Sequence, residues 1–511
     1  MKKLFITTPI YYASGKPHIG HAYTTILADV IARYMKAMGK DVFFLTGMDE
    51  HGQKIADTAK NKNLEVQKML DDVAANFKQL WKDLDIDYSN FIRTSNQTHC
   101  ETVQKVFSEL LSKKYLYEGT WKGLYCVNCE ENYTKDQAVE KDGKLYCRVG
   151  HELTEKNESS YFLKVSEFVD WIKKQFKEKD FIIPTARVNE LLGSFIDKGL
   201  EDLSVTRSSN VWGIPTKENP QHIIYVWIDA LLSYLSGLGY LSKDETNFKK
   251  YFADKDSQVV HLMSKEITRF HCIYWPILLK MLGLRLPTHI ISHGWVVTKE
   301  GKMSKSLGNI VDPYEYINQF GSDAFRYFII RQVSLDKDGI FSKDLFVETL
   351  NSELANNYGN MATRTAGMIK KYFNNVVPTF NEKVLTKLDK TVIEKEKTLL
   401  ANAEAKLNKF AINELLDDIQ KQYDVLNKYI DETKPWVLAK DAKNKDQLSN
   451  VLNIVFTSTI NLAILLKPIL VKTSTKIEKA FNIKLDKSNL SKNWQGNKIS
   501  DLAPLFARVE K

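Results

Sequence analysis

The sequence predicts an α/β chain whose last third is all-helical, and three observations predict it. Short apolar runs alternate with helix-patterned stretches through residues 1 to about 115 and again after 222, the pattern of a parallel sheet covered on both faces. Between 118 and about 160 that alternation gives way to turns and two close pairs of metal-ligating residues. Beyond about 345 strand-like runs cease and apolar residues recur at helical spacing. A chain of 511 residues is too long for one core and divides into roughly two to four domains. Its 43% hydrophobic and 26% charged residues are ordinary for a globular protein.

Leu4, Phe5 and Ile6 read as a buried strand that Pro9, Gly15 and Pro17 bring to an end. From Ile19 onward Ala22, Tyr23, Ile26, Leu27, Val30, Ile31 and Tyr34 keep a helical period, so His18 and His21 fall in the first turn of a helix. Residues three apart share a helix face, and a helix N-terminus attracts anions through its N–H groups and dipole. Two imidazoles there, with Gly20 leaving the backbone bare between them, suit a polyphosphate. The competing reading is one capping histidine and one surface histidine. Asp41 to Thr46 is a second buried strand, and Gly47 to Gly52 is the loop at its C-terminal end, where open α/β sheets bind ligands. Asp49 and His51 in that loop suit an ammonium and a phosphate, or else the aspartate serves the turn itself.

Cys126-x2-Cys129 and Cys147-x3-His151 have the form of a zinc knuckle. Each pair clamps one side of a tetrahedral ion, and the segment between them, read as a hairpin, joins the pairs. Four protein ligands leave no open position, which makes such a metal structural. Five cysteines in a long chain argue against a disulfide framework and for a reducing, cytosolic setting. The Met-Lys-Lys opening mimics a signal peptide, but Thr7, Thr8 and Pro9 interrupt it. No apolar run approaches the ~20 residues of a membrane span. Net charge of +9 permits a nucleic-acid partner without requiring one.

Ile223 to Asp229 reads as a third buried strand running into a helix through Ala230 and Tyr234. Val259 to Met263 is another strand, and in the helix-like run after it Ile267 and His271 share a face. Trp227, Tyr234, Phe270, Trp275 and His271 then make an aromatic pocket with one polar tip, at strand-to-helix junctions where ligand crevices lie. Aromatics so spaced are also the stuff of an ordinary core. Lys302 and Lys305, three apart in a Ser- and Gly-containing loop, form a cationic clamp suited to phosphates. Past 345, residues 384–430 form a long amphipathic helix pair and Val451–Leu470 another helix, the makings of a bundle.

These residues together resemble the methionyl-tRNA synthetase family, class I aminoacyl-tRNA synthetases of the type with one zinc knuckle. The two signature words of the class, HIGH and KMSKS, stand at His18-Ile19-Gly20-His21 and Lys302-Met303-Ser304-Lys305-Ser306. Further matches run through Pro9-Ile10-Tyr11-Tyr12, Asp49-Glu50-His51-Gly52, Tyr225-Val226-Trp227-Ile228-Asp229-Ala230, Phe270-His271 and Lys434-Pro435-Trp436, so the likeness covers nearly the whole chain. It implies a Rossmann-like parallel-sheet catalytic domain in two halves, 1–117 and 223–295, split by a connective insertion, 118–222, that carries the zinc knuckle. A KMSKS-loop and stem-contact region at 296–345 and an all-α helix-bundle anticodon-binding domain with a C-terminal tail at 346–511 would follow.

The resemblance also implies roles. His18, Gly20 and His21, with Lys265, Glu266, Lys302 and Lys305, would bind ATP, and His18, His21, Lys302 and Lys305 would stabilise the transition state. Methionine would lie against Ile10 and Tyr12 with its ammonium on Asp49. Its side chain would fit among Trp227, Ala230, Leu231, Tyr234, Ile267, Phe270, His271 and Trp275, sulfur packing well near aromatic edges. Arg207 matches an active-site arginine of the family. Asn360, Arg364 and Trp436 would read the anticodon, an aromatic stacking on a splayed base beside polar groups for its edges. Magnesium would accompany ATP, and zinc, structural, would sit on Cys126, Cys129, Cys147 and His151. The partners are then ATP, L-methionine and the initiator and elongator methionine tRNAs. The expected form is a cytoplasmic monomer without a membrane, because the chain ends without room for the further RNA-binding dimerisation domain of some relatives.

Two departures stand out. The family usually reads Gly-Lys-Asp where this chain has Ser264-Lys265-Glu266, and it has two residues rather than three between the third and fourth zinc ligands. The rivals fit less well. Leucine, isoleucine or valine enzymes of the same class need a large editing insertion between the two signature words. A cysteinyl enzyme needs a cysteine where Thr8 and Pro9 stand. A small-molecule nucleotidyltransferase leaves the helical third without a purpose, and a non-catalytic RNA-binding module does not need His18, His21, Lys302 and Lys305.

Overall fold

The computed structural model describes residues 2–13, 15–133, 135–209, 212–299, 301–302 and 310–510. The chain packs as two compact units. One comprises Met1–Ala28, Lys40–Gly294 and Leu335–Lys337; the other comprises Asp29–Gly39, Trp295–Ser334 and Asp338–Lys511.

The first unit is built on a six-stranded sheet with every neighbouring pair parallel. Its order is β3 (Asn90–Arg93), β2 (Asp41–Asp49), β1 (Lys3–Tyr12), then Ser257–Ser264, His289–His293 and Ile182–Ile183. From β1 the chain steps one way to β2 and β3, and from Ser257–Ser264 it steps the other way. The strand order therefore reverses between those two central strands, and the crevice beyond their C-terminal ends is where such sheets bind ligands. Leu4, Phe5, Ile6, Val259, Val260 and Leu262 are all fully buried, as a sheet covered on both faces requires.

Three elements differ from their sequence-based expectation. β1 runs through Pro9 to Tyr12, because the register with β2 shifts between Thr7 and Ile10 and the proline sits at that irregularity, where no ladder hydrogen bond is asked of it. β2 continues through Gly47 to Asp49, pairing Ile10, Tyr11 and Tyr12 with Gly47, Met48 and Asp49. Gly47 is no turn residue; a Cβ there would run into the carbonyl of Ile92 on β3, so glycine allows a close backbone approach. Finally, the expected strand Ile223–Asp229 is strand only over Ile223–Ile224, and a helix takes over at Val226 and runs to Ser236. That helix is buried on nearly every face, so its sequence is apolar all round and shows no period to separate it from a strand.

Inserted into this unit, Leu116–Cys126 pairs antiparallel with Thr154–Leu163 and with Glu131–Tyr133, and a small core of Leu124, Cys126, Tyr133, Cys147 and Leu153 forms at its tip. Helix α1 (Ile19–Ala37) follows β1, and helix α2 (Gln53–Asn61) follows β2.

The second unit is mainly helical, with Ser322–Gln332, Asn360–Phe373, Lys387–Asn408, Ile412–Thr433, Lys445–Leu466 and Val471–Phe481 as its principal helices. Arg326 is fully buried there and gives hydrogen bonds to Asp29 (2.7 Å), Ile469 O (2.9 Å) and Pro468 O (2.8 Å). Helix Lys387–Asn408 opens on a reciprocal cap, Thr386 Oγ1 accepting from Asp389 N and Asp389 Oδ2 from Thr386 N. Contrary to the expectation from apolar runs, one segment, Ala442–Leu466, is long and apolar enough to cross a membrane; 94% of its apolar window is buried inside the protein.

Candidate active site

His18 is the residue before α1, and its carbonyl accepts the first helical hydrogen bond from Ala22 N at 3.1 Å. Its Nδ1 accepts from Gly20 N (3.1 Å), and His21 Nδ1 accepts from His18 N (3.2 Å). The two imidazoles thus cap the helix reciprocally, as a capping box does. The capping and the phosphate-binding readings of this pair are therefore not alternatives. A main-chain N–H can only donate, so each Nδ1 offers a lone pair and each neutral ring carries its proton on Nε2. The rings lie 3.8 Å apart between centroids, and His21 rests edge-on against Tyr11 and Phe77. Gly20 makes this possible: a Cβ there would stand 2.9 Å from His18 Cε1.

Beside the end of β1 lies a group of buried and half-buried side chains with two ends. At the first, Asp49 is 4% exposed and faces Tyr12 across the ladder. Asp49 Oδ1 and Tyr12 Oη are both buried without a hydrogen-bond partner among the described residues. Burial, and then the charge of Asp229, push the Asp49 carboxyl well above the usual range. Burial followed by the charge of Asp49 does the same to the Tyr12 phenol. The carboxyl takes a main-chain hydrogen bond from His51, but with its other oxygen unpartnered a buried carboxylate is costly unless a cation arrives. Ile10, two residues before Tyr12, shares its strand face.

The second end is aromatic. Trp227, Ala230, Leu231 and Tyr234 fall on one face of helix Val226–Ser236. Phe270 and His271 belong to a wide-wound turn, Phe270–Tyr274, leading into the helix of Trp275. Trp227 stacks on Phe270 with centroids 3.8 Å apart. Tyr234 Oη meets His271 Nε2 at 2.7 Å, and His271 Nδ1 meets Ile267 O at 3.0 Å. A carbonyl can only accept, so His271 donates through Nδ1 and takes the tyrosine proton at Nε2. Burial pulls His271 down to about 4, leaving it neutral.

His261, which pattern reading passed over as one more strand residue, closes this end. It stacks 4.5 Å from Tyr234, accepts from Trp275 Nε1 (3.1 Å) and pairs with Thr7 Oγ1 (2.9 Å). Equally unmarked was the role of Asp229, held between His51 Nδ1 (2.7 Å) and His99 Nε2 (2.5 Å). Burial alone would raise its carboxyl, but the two imidazoles outweigh that and hold it at about 2. Only a histidine at position 99, lone in its helix, hinted at this arrangement.

At the end of strand Ser257–Ser264, Lys265 and Glu266 lie in a short turn, half-buried and exposed respectively. Ser264 has φ −79°, a conformation open to any residue, so its backbone does not require the family's usual glycine. Arg207 is buried and gives hydrogen bonds to Ser204, Thr206 O and Asn132 while stacking on Tyr225 at 4.3 Å. Lys305 lies outside the described residues, and Lys302 is described only as backbone in the strand Gly301–Lys302.

The metal cluster comes together despite its longer spacing. His151 Nδ1 stands 3.9, 3.4 and 3.6 Å from the sulfurs of Cys126, Cys129 and Cys147, and Cys129 and Cys147 are 3.9 Å apart. All four donor atoms lie within 4.8 Å of one another. A tetrahedral zinc site has edges of roughly 3.5–3.8 Å, so three sulfurs and an imidazole at these distances fit that metal. The hydrogen bond from Cys129 draws the Cys126 thiol down to about 5 while the same bond pushes Cys129 up, a competition that a cation would relieve. In the second unit, Asn360 and Arg364 sit one turn apart at the start of helix Asn360–Phe373. The Arg364 guanidinium lies 5.5 Å from the centroid of the Trp436 ring, which is 41% exposed.

Comparison with known proteins agrees with this picture. The family model described as tRNA synthetases class I (M) matches residues 4–147 and 144–366. A methionine–tRNA ligase of Ureaplasma parvum serovar 3 is 47% identical over 99% of this chain and 98% of its own length. One from Listeria monocytogenes serotype 4b is 42% identical over 99% of this chain and 78% of its length. The solved structure of Mycobacterium tuberculosis methionyl-tRNA synthetase in complex with methionyl-adenylate superimposes with a TM-score of 0.95, at 31% identity over 99% of this chain and all of that one.

Proposed function

The chain belongs to the methionyl-tRNA synthetases of class I, and from that premise we propose how its residues divide the work. It activates L-methionine with ATP to methionyl-adenylate and transfers methionine to the 3′-terminal adenosine of tRNA, releasing AMP and pyrophosphate. The observation that carries the assignment of residues is the pair of orphaned polar atoms, Asp49 Oδ1 and Tyr12 Oη, buried near the aromatic cluster of Trp227, Tyr234, Phe270 and Trp275. An α-ammonium supplies the donors that Asp49 lacks. A straight thioether fills the space bounded by Trp227, Ala230, Leu231, Tyr234, Ile267, Phe270, His271 and Trp275 against Ile10.

In the first step a methionine carboxylate oxygen attacks the α-phosphorus in line, and the bond to the bridging oxygen of pyrophosphate breaks. No protein nucleophile is required; the step needs alignment and charge neutralisation. His18 and His21 present Nε2–H donors at a helix N-terminus, where they hold the phosphates and strengthen as charge builds on them. Gly20 leaves that approach open. Lys265 and Glu266 serve the nucleotide, and Lys302 and Lys305 grip its phosphates. Magnesium, carried in with ATP, screens the phosphate charge. In the second step the 2′-hydroxyl of the terminal adenosine attacks the adenylate carbonyl and AMP leaves.

Cys126, Cys129, Cys147 and His151 hold a structural zinc, all four positions being filled by protein. Asn360, Arg364 and Trp436 read the anticodon, in initiator and elongator methionine tRNAs alike. The domains follow the limits 1–117, 118–222, 223–295, 296–345 and 346–511. The chain is read as a monomer, and the thiolate cluster suits a reducing cytoplasm.

Amino-acid-dependent exchange of labelled pyrophosphate into ATP tests the reading. Methionine is expected to support exchange, with leucine, isoleucine, valine and cysteine far behind. Exchange with leucine and not methionine would overturn it. Trp436→Ala is expected to spare exchange and to raise the KM for tRNA about tenfold, the worth of one stacked base.

A further inference from the structure

Helix α2 starts four residues after Asp49, and its own N-cap, Gly52, has no side chain to offer the first N–H groups. The cap comes from the metal knuckle instead. Glu130, the residue after Cys129, is 2% exposed and its Oε1 accepts from Lys54 N at 3.0 Å. Its Oε2 accepts from Tyr125 Oη, and its main-chain carbonyl accepts from Tyr225 Oη at 2.6 Å. Gly52 has φ 111°, and a Cβ there would stand 2.8 Å from Glu130 Oε1, so the glycine both allows the turn and makes room for the carboxylate.

A second tie runs in parallel. Lys54 Nζ donates to the carbonyl of Asn128, between Cys126 and Cys129, at 3.0 Å. The same ammonium stands 5.7 Å from the centroid of the Tyr12 ring. One residue of α2 is thus held at its backbone by Glu130 and at its tip by Asn128, both neighbours of Cys129, and its ammonium lies over the ring of Tyr12, which faces Asp49.

We propose that Glu130, acting with Lys54, is a positioning residue through which the metal knuckle sets the geometry of the Asp49 and Tyr12 end of the methionine site. This rests on the assignment of Asp49 and Tyr12 to methionine. The knuckle fixes Asn128 and Glu130; Glu130 caps α2; the capped helix holds Gly52 and, through it, the short connection to Asp49. Loss of the cap lets that connection drift, and small misplacements of a substrate-holding group are costly.

The test compares wild type, Glu130→Ala, Glu130→Gln and Asp49→Asn in pyrophosphate exchange, with hydrogen exchange at Lys54 N and zinc content measured by mass spectrometry. Glu130→Ala is expected to raise the KM for methionine roughly tenfold, the size of an outer-contact loss, while the KM for ATP and kcat stay within about twofold. Glu130→Gln, which keeps an oxygen for Lys54 N, is expected to restore methionine binding. Protection at Lys54 N should fall in Glu130→Ala, although it keeps its zinc, and in wild type stripped by a chelator. The proposal fails if Glu130→Ala leaves the methionine KM unchanged while Asp49→Asn raises it, if Glu130→Gln is no better than alanine, or if chelation leaves Lys54 N protected. If Asp49→Asn itself leaves the methionine KM unchanged, the assignment beneath the proposal falls instead.

Discussion

The aromatic and the polar end of this group of side chains differ in how far their buried polar atoms are satisfied. At the aromatic end two closed chains of hydrogen bonds run from Tyr234 through His271 to Ile267 O and from Trp275 through His261 to Thr7, with Trp227 Nε1 left without a partner among the described residues. At the other end Asp49 and Tyr12 each bury a polar atom with no partner among the described residues. A closed network needs nothing from the substrate and holds its shape before the substrate arrives; an open one carries an energetic debt that the right ligand removes. On the proposed assignment, the part of the wall around Tyr234 and His271 is pre-formed, and binding energy is concentrated where the ammonium would land.

This contrast can be broken by titration. His271 is held at about 4 against an ordinary 6.5, so between those values the unfolded chain binds the extra proton and stability rises with pH. The contribution is on the order of 3 kcal/mol, fully present above pH 6.5 and lost as pH falls toward 4. Asp49 slopes the other way: its raised carboxyl keeps a proton that the unfolded chain gives up, so its contribution is greatest at low pH and declines as pH rises from about 4. Thermal melts of wild type and His271→Gln across pH 4–7 should show the first slope flattened in the variant. Added methionine, which needs the carboxylate, should raise Tm more at pH 8 than at pH 5.

Next in size is Asp49→Asn, expected to raise the methionine KM about 100-fold (about 2.7 kcal/mol) in pyrophosphate exchange without destabilising the ligand-free protein. Removing the same hydroxyl at the two ends sharpens the comparison further. Tyr234→Phe strips His271 Nε2 of its donor and is expected to cost about 1–3 kcal/mol in denaturant unfolding, with a few-fold rise in methionine KM. Tyr12→Phe deletes a hydroxyl that bonds to nothing described, and should leave stability unchanged or raise it by up to about 1 kcal/mol. Equal losses for the two phenylalanine variants would refute the distinction.

Much of this was legible along the chain because the signals are local. The helix of His18 and His21 followed from apolar spacing, the knuckle from two ligand pairs, and the bundle from the loss of strand-like runs. What misled was also local: Gly47 looked like a turn because a close approach from β3 leaves no mark on its neighbours, and Val226–Asp229 looked like strand because a helix buried all round has no polar stripe. His261 and Glu130 carried no motif, and Asp229 stood in a matched segment with no role of its own. Their partners lie 254, 178 and 76 positions away, at Thr7, His51 and Lys54.

By itself the sequence determined which chemistry this chain possesses: the two histidines at a helix N-terminus, the thiolates, an acid at the end of the second strand, the aromatics. Tertiary structure alone decided how those groups are charged and what they still lack. Protonation and hydrogen-bond satisfaction are set by burial and by partners from distant segments, and neither exists until the sheet brings those segments together.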